Sequence, residues 1–77
     1  MPHVIVKLYP GRSEQQKNRL AEQIVKDVVA IANCGEEAVS VAIEEIKPED
    51  WGEKVYKPHI LGDRERLYKR PGYNPFE

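Results

Sequence analysis

Apolar and polar residues alternate from the third position of the chain. Val4, Val6 and Leu8 fall on one face of an extended segment, while His3, Ile5, Lys7 and Tyr9 fall on the other. The segment His3–Tyr9 is rich in β-branched and aromatic residues and reads as a strand, stopped by Pro10-Gly11. Ser13 follows as a helix N-cap, with Gln16 three residues on to complete a capping box. From Glu14 to about Asn33 the period changes to that of a helix. Leu20, Ile24, Val28 and Ile31 form one stripe, and Ala21, Val25, Val29 and Ala32 form a neighbouring one. Towards its end the helix is apolar nearly all round ("VVAIA"), so it needs more than one surface to pack on. Asn33-Cys34-Gly35 supplies the stop. Ala38–Ile46 ("AVSVAIEEI") alternates again and reads as a second strand.

Strand, long helix and strand make a βαβ unit of the α/β class, with parallel strands joined by a crossover helix. Two strands alone leave exposed edges and an incomplete sheet, and pairing with another chain would remedy both. Beyond Ile46 the pattern is less regular. "KPEDWGE" reads as a turn with a short helical piece after Pro48, and a second helix is expected over Pro58–Lys69, weakened by Gly62. Pro71-Gly72 ends it.

Size sharpens this picture. Seventy-seven residues make a single domain, 1–77, whose isolated core would be marginal. The lone Cys34 cannot form a disulfide within the chain and is expected to be inert, and His3 and His59 stand too far apart for zinc-ligand spacing. Oligomerisation is the remaining remedy. Twelve basic against thirteen acidic residues give no general field for nucleic acid or an anionic membrane. The cluster Arg64, Arg66, Lys69 and Arg70 reads as a solvated face. No signal peptide and no membrane span is apparent, and a soluble, cytoplasmic protein is expected.

Candidate chemistry lies at the amino terminus. Methionine aminopeptidases usually clip the initiator before a small residue, and proline qualifies. Pro2 would then carry a free secondary amine. An ordinary α-amino group has a pKa of about 7.7–8.0. Apolar surroundings or a nearby cation would lower it and leave Pro2 neutral, ready to act as a general base. A strand beginning at that residue would hold the amine rigidly.

The stretches "PHVIVKLYPGRSEQQK", "VSVAIEEIKPEDWG" and "KRPGY", which together span essentially the whole chain, resemble the 4-oxalocrotonate tautomerase family. The similarity is closest to its bacterial phenylenolpyruvate-tautomerase-like branch. The resemblance implies a β-α-β protomer that pairs through its strands into a four-stranded dimer, which some members assemble into a hexamer. The longer tail resembles the dimeric branch. It implies a keto–enol tautomerase that uses neither metal nor organic cofactor. Pro2 matches the proline that shuttles the proton.

By the same resemblance Arg12 matches an arginine that binds a substrate carboxylate, a task suited to a planar, permanently charged fork. It could serve its own or a neighbouring subunit's pocket. Trp51 matches an aromatic wall, whose indole N–H could also reach substrate. Ser40 stands where the best-studied branch carries a second arginine. Its hydroxyl brings no charge, so a monocarboxylate enol with an aromatic tail, such as phenylenolpyruvate, fits better than a dicarboxylate. His3 could pack near the amine or bond across an interface. Two other readings stay open: a hydratase or dehalogenase of a small unsaturated acid on the same pocket, and a non-enzymatic oligomeric binding protein of the same fold.

Overall fold

The computed structural model describes residues 1–77. It divides into two compact units, Met1–Glu45 and Ile46–Glu77. In the first, β1 (His3–Leu8), α1 (Glu14–Ala32) and β2 (Ser40–Glu45) follow in chain order, with a short 3-10 turn at Glu36–Ala38. The strands are parallel, in the register His3↔Ser40 through Leu8↔Glu45. The ladder continues one step past their amino ends, where the Ser40 N–H donates to the Pro2 carbonyl at 3.1 Å. This is the predicted β-α-β arrangement, and each strand keeps one edge unpaired.

Local chemistry sets the ends of α1. Ser13 accepts from the Gln16 N–H at 3.1 Å while the Gln16 side chain accepts from the Ser13 N–H at 2.8 Å, closing the capping box. Asn33 ends the helix in the left-handed region (φ 59°, ψ 60°), a conformation asparagine tolerates better than most residues. Lys17 bridges Glu14 at 2.9 Å and Glu45 at 3.6 Å, tying the first turn of the helix to the end of β2. Its hydrogen bond to Glu14 leads the interactions that hold the ammonium above its ordinary pKa. Ser13→Ala opens the cap at a cost of about 1 kcal/mol. For a domain of this size that is a fall of roughly 4–8 °C in Tm, read by circular dichroism.

One sheet face carries Val4, Val6, Val41 and Ile43, all half-buried. Beside Val41 an open groove of about 600 Å³ runs along Ala21, Val25 and Val29 of α1. Ile31 at the end of the helix is 84% exposed and Ile5 on the opposite sheet face 50%. No residue of Met1–Glu45 is buried; the two that are, Val55 and Tyr56, belong to the second unit. The apolar excess that the "VVAIA" stretch announced therefore stays uncovered in a single chain.

The second unit departs from the sequence expectation. A second helix does not start afresh at Pro58: the short helical piece expected after Pro48 is present as α2 (Pro48–Trp51), opening with proline in its first turn. It runs on through a wide π-type stretch, Gly52–Ile60, into a 3-10 stretch, Leu61–Arg66. Pro58 is thus interior rather than initial. Proline is favoured at a helix start because it lacks an N–H, and that made Pro58 a plausible beginning. Here its missing donor falls within a stretch of looser, π-type winding. Tyr56 contacts Tyr73 and Phe76, with ring centroids 5.7 and 5.9 Å away. The Tyr56 hydroxyl donates to the Tyr73 carbonyl at 3.3 Å. The tail is folded onto the helical stretch by these rings.

Candidate active site

The amino end of the sheet is built around Pro2, which is half-buried and whose carbonyl is held by β2. Met1 lies outside, 95% exposed, with its terminal amine donating to the Ala38 carbonyl at 2.8 Å. Removing Met1 takes nothing from a core. It converts the Pro2 nitrogen from an amide, with no basic lone pair, into a secondary amine at the mouth of a paired strand.

Ser40 is the predicted site residue that the fold brings to Pro2. Its N–H bonds Pro2, and its hydroxyl lies 2.6 Å from Nδ1 of His3, its partner in register. Both side chains stand on the sheet face opposite α1, together with the Lys7–Glu44 ion pair (2.9 Å) four register steps farther along.

Arg12 lies at the other end of β1. Gly11 turns the chain there with φ 126°, a backbone conformation that side-chain-bearing residues rarely adopt, and Arg12 follows as the last residue before the helix cap. The exposed guanidinium donates to the Tyr9 carbonyl at 3.4 Å, which keeps it near the end of the strand. From Pro2 to Leu8 is six strand steps, about 20 Å. Within one chain Pro2 and Arg12 do not converge.

Trp51 belongs to the second unit. Its indole N–H, which the sequence reading offered to a substrate, donates to the Tyr73 hydroxyl at 2.8 Å. Gly52 beside Trp51 is approached so closely by the Phe76 ring that an added Cβ would stand 2.9 Å from it. Tyr73 was not singled out from the sequence. The signal was the recurrence of aromatics at 51, 56, 73 and 76, which is too irregular in spacing to reveal a cluster before the tail is seen to fold back.

With this geometry in place, comparisons with known proteins are informative. Residues 2–57 match the family model described as "Tautomerase enzyme". The chain is 44% identical over 73 residues to a "Probable tautomerase" of Xylella fastidiosa, covering 95% of this chain and 89% of that protein. It is 35% identical over 74 residues to "Tautomerase PptA" of Cronobacter sakazakii, covering 95% and 97%. Among solved structures it is similar to TomN, a 4-oxalocrotonate tautomerase homologue of the tomaymycin biosynthetic pathway, with TM-score 0.63 and 36% identity over 65% of this chain and 77% of that one.

Proposed function

The chain belongs to the tautomerase family, and from that membership we propose that Pro2, exposed by removal of Met1, is the proton shuttle of a keto–enol isomerase acting on a small enol carboxylate such as phenylenolpyruvate. The observation that carries this reading is the position of Pro2. It is the residue at which the paired sheet begins, held by the Ser40 N–H, and the Met1 before it is exposed. A base so placed is rigid on the protein side and open on the solvent side.

The reaction needs one proton moved and no net oxidation. The neutral Pro2 nitrogen takes the proton of the enol hydroxyl. The oxygen's electrons form the C2=O bond, and the C2=C3 pair takes the proton back from the prolinium nitrogen at C3. Activity rises with pH as the prolinium loses its proton, because only the neutral amine is a base. Nuclear magnetic resonance titration of the Pro2 nitrogen gives the same midpoint as the pH–rate profile. Failure of the two to coincide would assign the profile to another group.

In this reading Arg12 holds the substrate carboxylate, Trp51 walls the aromatic tail and Ser40 contacts the polar end. Because Arg12 lies a strand's length from Pro2 in its own chain, the shared pocket is formed between protomers. Antiparallel pairing of strand edges sets the amino end of one strand beside the carboxyl end of the other. Each Pro2 thereby meets the partner's Arg12. The unpaired edges and the uncovered groove along α1 support this assembly, a homodimer with a four-stranded sheet, with residues 1–77 acting as one functional domain. No helix is long and apolar enough to cross a membrane.

A further inference from the structure

We infer that Tyr73 is a positioning residue for the reaction: its hydroxyl sets the plane of the Trp51 indole, so that the carboxyl-terminal segment 71–77 tunes the preference for a substrate bearing an aryl group. This rests on the reading of Trp51 as the wall against which that aryl group lies. Trp51 is the last residue of α2, where the winding opens into the π-type stretch Gly52–Ile60. Its successor is a glycine, which has no side chain to lean against the indole. An indole turns about two side-chain bonds, and a hydrogen bond at its far edge restrains both. Nε1–H is the one polar group the ring has, and it donates to the Tyr73 hydroxyl at 2.8 Å.

Tyr73 is itself held. Its carbonyl accepts from the Tyr56 hydroxyl at 3.3 Å, and its ring lies 5.7 Å from that of Tyr56. Tyr56 is only 6% exposed, so the anchor of this contact is a buried side chain. Three residues on, the Phe76 N–H donates to Oδ1 of Asn74 at 2.9 Å and turns the chain. The Phe76 ring then meets Tyr56 edge-on and covers Gly52, with the Lys57 ammonium 5.4 Å from its centroid. Contacts thus run from a buried tyrosine through the segment to the edge of the indole. The packing of Tyr73 and the bond it offers are separable. Its ring and carbonyl fix the course of the segment, whereas its hydroxyl, on a residue 49% exposed, adds little to stability and acts on the orientation of Trp51. A wall that meets the aryl group equally in the ground state and the transition state changes KM and leaves kcat alone.

The test is a double-mutant cycle on the full chain. Ketonisation of phenylenolpyruvate is followed at steady state for the native enzyme, Tyr73→Phe, Trp51→Phe, the double variant and Trp51→Ala. Tyr73→Phe keeps the ring and the backbone carbonyl and removes only the acceptor. KM rises about three- to tenfold, bounded by the worth of one neutral hydrogen bond, while kcat stays at its native value. In the Trp51→Phe background there is no indole N–H to hold, and Tyr73→Phe adds nothing. The chain has a single tryptophan, which reports the same event directly. In Tyr73→Phe its fluorescence anisotropy falls and acrylamide quenches it more readily, with far-ultraviolet circular dichroism unchanged. A native KM in Tyr73→Phe beside a raised one in Trp51→Ala, or equal changes from Tyr73→Phe in both backgrounds, overturns the inference. A native KM in Trp51→Ala overturns instead the reading of Trp51 as the wall, and the two failures are separately visible.

Discussion

Pro2→Ala lowers the ketonisation rate of phenylenolpyruvate by about a hundred- to ten-thousandfold, the range expected for loss of a positioned general base. The substitution leaves a primary amine on an unrestrained residue in place of a ring-locked secondary one. The first ladder bond survives, because it uses the carbonyl of residue 2 and not its side chain. Far-ultraviolet circular dichroism is therefore unchanged while the rate falls. A form that retains Met1 is equally impaired for a different reason: its Pro2 nitrogen is an amide and cannot take a proton. The assay follows the enol by ultraviolet absorbance, with the mass of the amino terminus checked for each preparation. Equal rates in all three forms would remove Pro2 from the mechanism and leave the tautomerase without its base.

Arg12→Ala costs about ten- to a hundredfold in kcat/KM, the worth of a hydrogen bond to a charged group. The larger effect comes from mixing. A strand's length separates Arg12 from Pro2 in one chain, so in the proposed dimer each pocket takes its base from one protomer and its arginine from the other. Unfolding and refolding Pro2→Ala together with Arg12→Ala in equal amounts makes half of all dimers mixed. Each mixed dimer has one pocket with both groups intact and one with neither. Two nearly inactive proteins thus yield a preparation with about a quarter of native activity, as a two-fold assembly requires. If the pocket were contained in one protomer, mixing would restore nothing. The same two proteins combined without unfolding serve as the control for exchange.

How much of this was legible in advance depends on the range of the interactions. The strand–helix–strand order could be read because each element carries its own local signal: the alternation from His3, the Ser13–Gln16 box, and the Asn33 stop. Their bounds agree with the structure to within two residues. The bond between His3 and Ser40 could not be read, since it is fixed by register across a connection of more than thirty residues and a shift of one would separate the pair. In the second unit a proline misled. Pro48 and Pro58 carry the same helix-start signal, and only the wide winding that takes in Pro58 tells them apart. Tyr73 stayed hidden for a related reason: nothing before residue 71 indicates that the tail returns to Trp51. For Arg12 the residue was evident and its neighbourhood was not, because the length of β1 sets it far from Pro2 of its own chain.

The bareness of the first forty-five residues has a physiological corollary. If the chain acts as the proposed homodimer, a first unit that buries no residue of its own draws its stability from mass action, so the functional form is favoured by abundance as much as by temperature. Output per chain would then not be constant across expression levels. Scarce copies would drift apart, lose shape and fall to proteolysis, whereas plentiful ones would shelter one another. Such an enzyme would switch on steeply with its own synthesis, with no allosteric ligand required.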